Sequence, residues 1–163
     1  MKYKAAILTA SDKGAAKERE DLSGAELEKL LSEAGISVTC RILVPDEQEQ
    51  ISSSLIDLCD NHAVDLILTT GGTGFSPRDI TPEATRDVIH RDVPGIPEAM
   101  RLESLKITDM AMLSRAVAGI RNKTLIINMP GSVKAVKECF AVIKPVLQHA
   151  LEILTGKGNN CGG

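Results

Sequence analysis

The most constraining stretch of this 163-residue chain is Thr69-Thr70-Gly71-Gly72-Thr73-Gly74-Phe75-Ser76-Pro77-Arg78-Asp79-Ile80-Thr81-Pro82-Glu83. Val64-Asp65-Leu66-Ile67-Leu68 precedes it, short and apolar, the pattern of a buried strand. Thr81-Pro82-Glu83 closes it and predicts a helix start, with Thr81 as the cap and Pro82 where a missing N–H costs nothing. Three glycines in four residues allow positive φ and close approach of backbone to ligand, and the neighbouring hydroxyls add donors for an anion. The expected unit is strand, phosphate nest, helix.

Two common nucleotide motifs do not fit. A Walker A loop needs Lys and Ser or Thr after its last glycine, but Gly74 is followed by Phe75-Ser76. A dinucleotide fingerprint runs directly into its helix, whereas Pro77 and several irregular residues intervene here. The nest remains as a general phosphate site.

The same alternation extends along the chain. Ala5 to Leu8 predicts a first strand ending at Ser11-Asp12; Leu27, Leu30, Leu31 and Ala34 mark one helix face; Ile36 to Val44 predicts a second strand, with Val38, Cys40, Ile42 and Val44 on one face. Ile51, Leu55, Leu58, Cys59 and His62 form another apolar helical stripe, and Glu98 to Lys106 a further helix burying Ala99, Leu102 and Leu105. Ser114 to Ile120 suits a small strand or hairpin arm. Thr124 to Asn128 predicts a buried strand leading through Pro130-Gly131-Ser132, with Ser132 as cap, into a long helix that passes Pro145 with a kink. Continuous apolar strands alternating with helices predict a three-layer α/β/α fold with a mostly parallel sheet. A single domain is expected over residues 1–155, with a flexible tail at 156–163.

Ligands of such sheets sit at the carboxyl ends of the strands. Four turns should converge there: Ser11-Asp12, Pro45-Asp46, Gly71 to Asp79, and Pro130-Gly131-Ser132. Two carboxylates beside a phosphate nest are what Mg²⁺ needs to bridge protein and polyphosphate oxygens, which singles out Asp46 and Asp79. Each has a plainer reading. Asp46-x-x-Glu49 resembles a capping box, and Asp79 could pair with Arg78. Ser11 and Asp12 could close a turn, and Ser114-Arg115 could bring a hydroxyl and a guanidinium to an anion or lie at the surface. His62 reads as a core or boundary residue, with no second ligand at metal spacing.

The net charge of −3, and an aromatic complement of only Tyr3, Phe75 and Phe140, argue against nucleic acid and against an anionic membrane surface. Cysteines at 40, 59, 139 and 161 form no C-x-x-C pair and are expected as reduced thiols. No apolar run reaches transmembrane length, the first residues lack a signal-peptide pattern, and a cytoplasmic location is expected.

Thr69 to Gly74 with Arg78 to Ala84, Pro94-Gly95 with Glu98-Ala99-Met100-Arg101, Leu113-Ser114-Arg115, and Asn128-Met129-Pro130-Gly131-Ser132 together resemble the Mog/MoaB family of molybdenum cofactor biosynthesis. The resemblance implies a molybdopterin adenylyltransferase: ATP and molybdopterin would react with Mg²⁺ to give adenylylated molybdopterin and pyrophosphate, in a homotrimer that hands its product to a molybdenum-insertion protein. It places the family's two important aspartates on Asp46 and Asp79 as catalytic and metal residues, and its substrate-binding serines on Ser114 and Ser11. The phosphate and nucleotide loops match Gly71, Gly72, Thr73 and Gly74, and Pro130, Gly131 and Ser132. From the residues, Asp12 and Arg115 join them as candidate substrate contacts. Alternatives are a non-catalytic trimeric pterin-binding protein of the same superfamily and a nucleotide-pyrophosphate hydrolase related to competence-damage-type domains.

Overall fold

The structure, a computed structural model, describes residues 2–157. Six strands form one sheet: β1 (Tyr3–Ala10), β2 (Ile36–Val44), β3 (Leu66–Thr70), β4 (Arg91–Asp92), β5 (Ala118–Arg121) and β6 (Thr124–Met129), in the order β2-β1-β3-β6-β5-β4. The first four strands in that order pair in parallel; β5 and β4 are antiparallel additions at one edge. The helices are α1 (Asp12–Ala15), α2 (Leu22–Glu33), α3 (Gln48–Asp60), α4 (Thr81–Val88), α5 (Gly95–Leu105) and α6 (Val133–Thr155), with a 3-10 turn at Asp109–Leu113. The expected α/β/α layering and mostly parallel sheet are present.

Two cores flank the sheet. The strands alternate between them, as a period of two requires: Ala5 and Ile7, Leu66 and Leu68, and Leu125 and Ile127 join Leu27, Leu31, Phe140, Ile143 and Leu147 of α2 and α6. Ala6, Leu8, Ile67 and Ile126 join Ile51, Leu55, Leu58, Ala84 and Val88 of α3 and α4. Each fully buried aliphatic or aromatic side chain contributes about 1.5–3 kcal/mol relative to exposure, so these two layers set the stability. A polar crosslink joins them: buried Asn128 accepts from the Val117 amide at 3.1 Å and donates to Thr69 Oγ1 at 3.0 Å and Thr85 Oγ1 at 2.9 Å. β3, β6, α4 and the segment entering β5 are thereby locked in register, because each lost partner would leave a buried polar group unpaired.

Several local expectations are corrected. In β2 the register slips between Ala5 and Ala6, which pair with Val38 and Cys40 and leave Thr39 as the extra residue. A bulge of one residue exchanges the faces, so Val38 packs on one core while Cys40, Ile42 and Val44 face the other. His62 lies beyond the end of α3, is exposed, and pairs with Asp57. The buried face of α5 is Pro97 and Met100, whereas Ala99, Leu102 and Leu105 point outward; the helix begins at Gly95, and its docking is set by Met100. As expected, α6 continues through Pro145 rather than ending there; Pro145 sits on its exposed side together with Ala141, so the carbonyl that loses its helical partner is at the solvent face. Within the expected tail 156–163, Gly156 caps α6 in the left-handed region, and Lys157 Nζ lies 2.7 Å from Asp65 Oδ1. The rest of that expectation, residues 158–163 with Cys161, lies outside the described residues.

Candidate functional site

The chain passes from β1 to the edge strand β2 and returns to the other side of β1 as β3. The loops after β1 and β3 therefore diverge at a switch point, where a crevice opens. Gly71 makes this junction possible. Its φ is +91°, and a Cβ there would lie 2.3 Å from the Ala10 carbonyl oxygen, so no other residue permits the two loops to abut. Gly72, at φ +69°, is constrained in the same way: a Cβ would come 2.4 Å from Thr81 Oγ1 and 3.2 Å from Asp46 Oδ1.

These glycines open on a cleft of about 590 Å³ lined by Ser11, Asp46, Gly71, Gly72, Asp79, Gly131 and Ser132, with Asp21, Ser23 and Thr70 at its floor and wall. Four predicted turns thus meet at one edge. Ser11 caps the single turn α1, its Oγ accepting from the Gly14 amide at 3.0 Å, and Ser132 caps α6 by accepting from Ala135 at 3.2 Å. Both serines leave their turns' polar groups at the rim. Gly131 packs against Gly71, with 3.4 Å between the Gly71 Cα and the position of a Cβ.

The acidic residues form a connected set. The Asp12 amide donates to Asp46 Oδ2 at 2.9 Å, and the Asp46 amide donates to Asp12 Oδ1 at 3.0 Å. This reciprocal exchange, rather than a capping box, accounts for Asp46; α3 starts after Glu47 with no side-chain cap at all. Arg78 forks onto both Asp12 oxygens at 3.0 Å and reaches Glu47 at 2.7 Å, so it serves Asp12 rather than Asp79. Its hydrogen bond, with that of the Asp46 amide, holds the Asp12 carboxyl below the ordinary aspartate range. Asp46 shifts the other way. Burial pushes its carboxyl up, and the charges of Asp12 and Asp79 add to this, against the Asp12 amide and Arg78, which favour ionisation. Asp79 is oriented by the Ser76 amide, which donates to its Oδ2 at 3.0 Å.

Thr81 is the first residue of α4, not its cap; that position is Ile80, without a side-chain bond. The Thr81 hydroxyl is fully buried and unpartnered among the described residues, on the side of Gly72 where Asp46 Oδ1 also lies. An orphaned donor of this kind costs about 1–3 kcal/mol and calls for a partner. Sequence pattern hid it, because a threonine before Pro-Glu looks like a helix cap.

Ser114 and Arg115 are placed elsewhere. Ser114, with Thr73, Gly74, Met100, Arg101, Met110, Leu113 and Pro130, lines a second, largely apolar cavity of about 280 Å³. The glycine loop is thus a partition: Gly71 and Gly72 face the acidic cleft, while Thr73 and Gly74 face the apolar one. Arg115, expected on an anionic ligand, turns into this partition and bonds the Gly74 and Asp79 carbonyls and Glu83. Two residues missed in the sequence are Arg101, whose guanidinium bonds the Ala116 carbonyl at 2.9 Å beside that cavity, and Asp21, which accepts from Thr9 Oγ1 and the Gly24 amide at 2.9 Å. Arg101 stands in the Glu98-Ala99-Met100-Arg101 motif, which could have pointed to it, whereas no sequence neighbour marks Asp21. Among the described residues no group of three or more His, Cys, Asp or Glu is arranged to hold a metal.

The model of the probable molybdopterin binding domain matches residues 6–149. A molybdopterin adenylyltransferase of Helicobacter pylori strain J99 is 44% identical over 152 residues, covering 92% of this chain and 86% of the relative. The molybdenum cofactor synthesis protein cinnamon of Drosophila melanogaster is 45% identical over 150 residues, 91% of this chain but 25% of its own length. Among solved structures, the molybdopterin biosynthesis enzyme MoaB of Thermus thermophilus superposes with a TM-score of 0.90 at 48% identity, covering 94% of this chain and 97% of that one.

The raised carboxyl of Asp46 gives a stability test. Its folded form holds a proton more readily than the unfolded chain does, so the ionised carboxylate lowers stability, and that loss disappears as pH falls through its raised value. Asp46→Asn keeps an oxygen for the Asp12 amide and removes the charge. Thermal unfolding should therefore show the variant at least as stable as the parent at pH 7, with the difference shrinking in the range just above the ordinary aspartate value of about 3.9. A variant markedly less stable at pH 7 would contradict the assignment.

Proposed function

The chain belongs to the family of probable molybdopterin binding domains, and from that premise we propose that it is a molybdopterin adenylyltransferase of molybdenum cofactor biosynthesis, transferring AMP from ATP to the terminal phosphate of molybdopterin. The observation that carries this reading is the convergence of Asp46 and Asp79 on one cleft with the Gly71-Gly72 turn. Both curated relatives named above act in the same biosynthesis, and one is named for this reaction.

A phosphate oxygen of molybdopterin attacks the α-phosphorus of ATP; the new P–O bond forms as the bond to the bridging oxygen breaks, and pyrophosphate leaves with that oxygen. The nucleophile is already an anion, so no strong general base is required. Rate must come from positioning and from neutralising charge on the triphosphate. The backbone of Gly71, Gly72 and Gly131 can approach the phosphates closely, and Ser11 and Ser132 stand at the same rim. The second cavity, with Ser114 on its wall and an apolar lining, is suited to the flat body of a substrate lying across the partition.

Mg²⁺ fits the donor set. Mg²⁺ commonly takes one or two carboxylates together with substrate phosphates, and the cleft offers those of Asp46 and Asp79. Asp46 takes the Asp12 amide on Oδ2 and turns Oδ1 toward Gly72, Asp79 stands across the same cleft, and the orphaned Thr81 hydroxyl adds a hard oxygen nearby. Asp46 and Asp79 would hold the ion, which when bound supplies Lewis-acid polarisation of phosphate oxygens. The protein's own part is to hold the two carboxyl groups oriented beside the nest. Asp12, saturated by Arg78 and by its exchange with Asp46, orients rather than ligates.

On this reading the assembly is a homotrimer. Leu102 (64% exposed), Met110 (66%) and Met112 (62%), with Ile107, form an apolar outer face on α5 and the following 3-10 turn, larger than a lone surface residue would explain. The family resemblance extends the reading to a cytoplasmic enzyme that passes its product to a molybdenum-inserting protein.

Two measurements check these statements. Mixing the protein with ATP, Mg²⁺ and molybdopterin should release pyrophosphate stoichiometrically with adenylylated pterin, and Asp79→Asn should lower that rate by about 100-fold or more while leaving circular dichroism unchanged. A folded parent that binds the pterin but releases no pyrophosphate would instead identify a non-catalytic pterin-binding protein. Sedimentation velocity should return three chain masses, and Leu102→Asp should reduce them to one; a monomeric parent would overturn the trimer.

A further inference from the structure

Arg115 makes an unusual set of contacts for a residue at the end of a loop. Its backbone amide donates to the Thr73 carbonyl at 2.9 Å. Its side chain spreads in three directions: Nε to the Gly74 carbonyl at 2.8 Å, Nη2 to the Asp79 carbonyl at 2.8 Å, and Nη1 to Glu83 Oε1. The segment from Thr73 to Asp79 has little else to hold it. Within it, the Asp79 amide bonds the Ser76 carbonyl at 2.9 Å and the Ser76 amide bonds the Asp79 carboxylate. Among the described residues no other group donates to the Gly74 or Asp79 carbonyl.

We propose that Arg115 and Glu83 form a strut that positions the Asp79 carboxylate, so that Arg115 is a positioning residue for AMP transfer and not a ligand of the pterin phosphate. Only a planar guanidinium reaches two carbonyls and a carboxylate at once, since its donors diverge in a rigid fork. Glu83 anchors the fork from the first turn of α4. Burial pushes the Glu83 carboxyl up, yet the hydrogen bond from Arg115, a bond from the backbone and the charges of Arg115 and Arg86 together outweigh it, so the carboxyl sits below its ordinary value and the pair is ionised at neutral pH. The anchor also ties the loop to a helix whose Thr81 amide donates to the Gly72 carbonyl of the nest at 3.1 Å. An exposed ion pair would contribute little. Here the consequence is geometric, because displacing the Asp79 backbone displaces its carboxylate from the cleft. Arg115 also follows Ser114 directly, so the strut connects the wall of the apolar cavity with the acidic cleft.

The inference rests on the adenylyltransferase reading for its kinetic readout, and on amide hydrogen exchange of the ligand-free protein for an independent one. Arg115→Lys keeps the charge but reaches a single acceptor. It should speed exchange at Ser76 and Asp79 by about tenfold or more with the β1, β3 and β6 amides unchanged, and lower kcat by about 30-fold with KM for ATP and molybdopterin changing less than about threefold. Arg115→Ala should behave the same way, and millimolar guanidinium should restore part of its kcat. Overturning results are wild-type kcat with wild-type loop exchange in Arg115→Lys, a loss confined to KM for molybdopterin, which would return Arg115 to substrate binding, or loss of protection throughout the sheet in both variants. A parent without AMP transfer would remove the functional reading, and the exchange pattern would then decide the strut by itself.

Discussion

Asp12 and Asp46 each donate a backbone amide to the other's carboxylate. This exchange sews the loop after β1 to the loop after β2, and it forces two negative groups together at the end of a sheet. The arrangement is tolerable because the charges are treated unequally. Asp12 takes the Arg78 fork and is held ionised, whereas Asp46, half-buried and facing the charges of both Asp12 and Asp79, is pushed toward its neutral form. A carboxylate kept in that condition gains most from an incoming cation, since the cation offsets both the burial and the repulsion. The fold thus stores an electrostatic demand where its strands end.

The glycine loop turns that demand into a site with two sides. Gly71 lets the β1 and β3 loops touch, Gly72 leaves room for the Thr81 hydroxyl and Asp46, and the residues that follow bend away to line the apolar cavity beside Ser114. A triphosphate beside the carboxylates and a pterin in the second cavity would meet across this partition. Much of the surrounding structure serves to keep it still. Asn128 locks the strands and α4 beneath it, and Arg115 braces it from the side. Because preorganised groups need no reorganisation during reaction, such bracing is where a phosphate-transfer site gains rate.

Much of this was legible in the sequence, and what was not has identifiable physical causes. Continuous apolar strands, glycine turns and cap residues predict the α/β/α layers, and strand ends bring Asp46 and Asp79 to one edge. The bulge at Thr39 escapes a pattern of alternation, since one unpaired residue inverts the face of everything after it. The outward face of α5 reads as core because apolar residues at helical spacing do not say which face packs on the sheet. Thr81 looks like a cap, but it lies one residue inside α4 with its hydroxyl buried and unpartnered among the described residues. Arg115 follows a candidate ligand residue directly, yet its side chain turns toward carbonyls 36 and 41 residues earlier in the chain, which no local signal encodes.

The central claim is that the acidic cleft, and not the cavity beside Ser114, receives the metal-bound triphosphate. Crystals soaked with Mn²⁺ and a non-hydrolysable ATP analogue test it most directly through the anomalous signal of the metal. The account places that peak between the Asp46 and Asp79 carboxylates, with phosphate density against the Gly71-Gly72 backbone. A peak in the Ser114 cavity, or a nucleotide bound with both aspartates uncontacted, would contradict it.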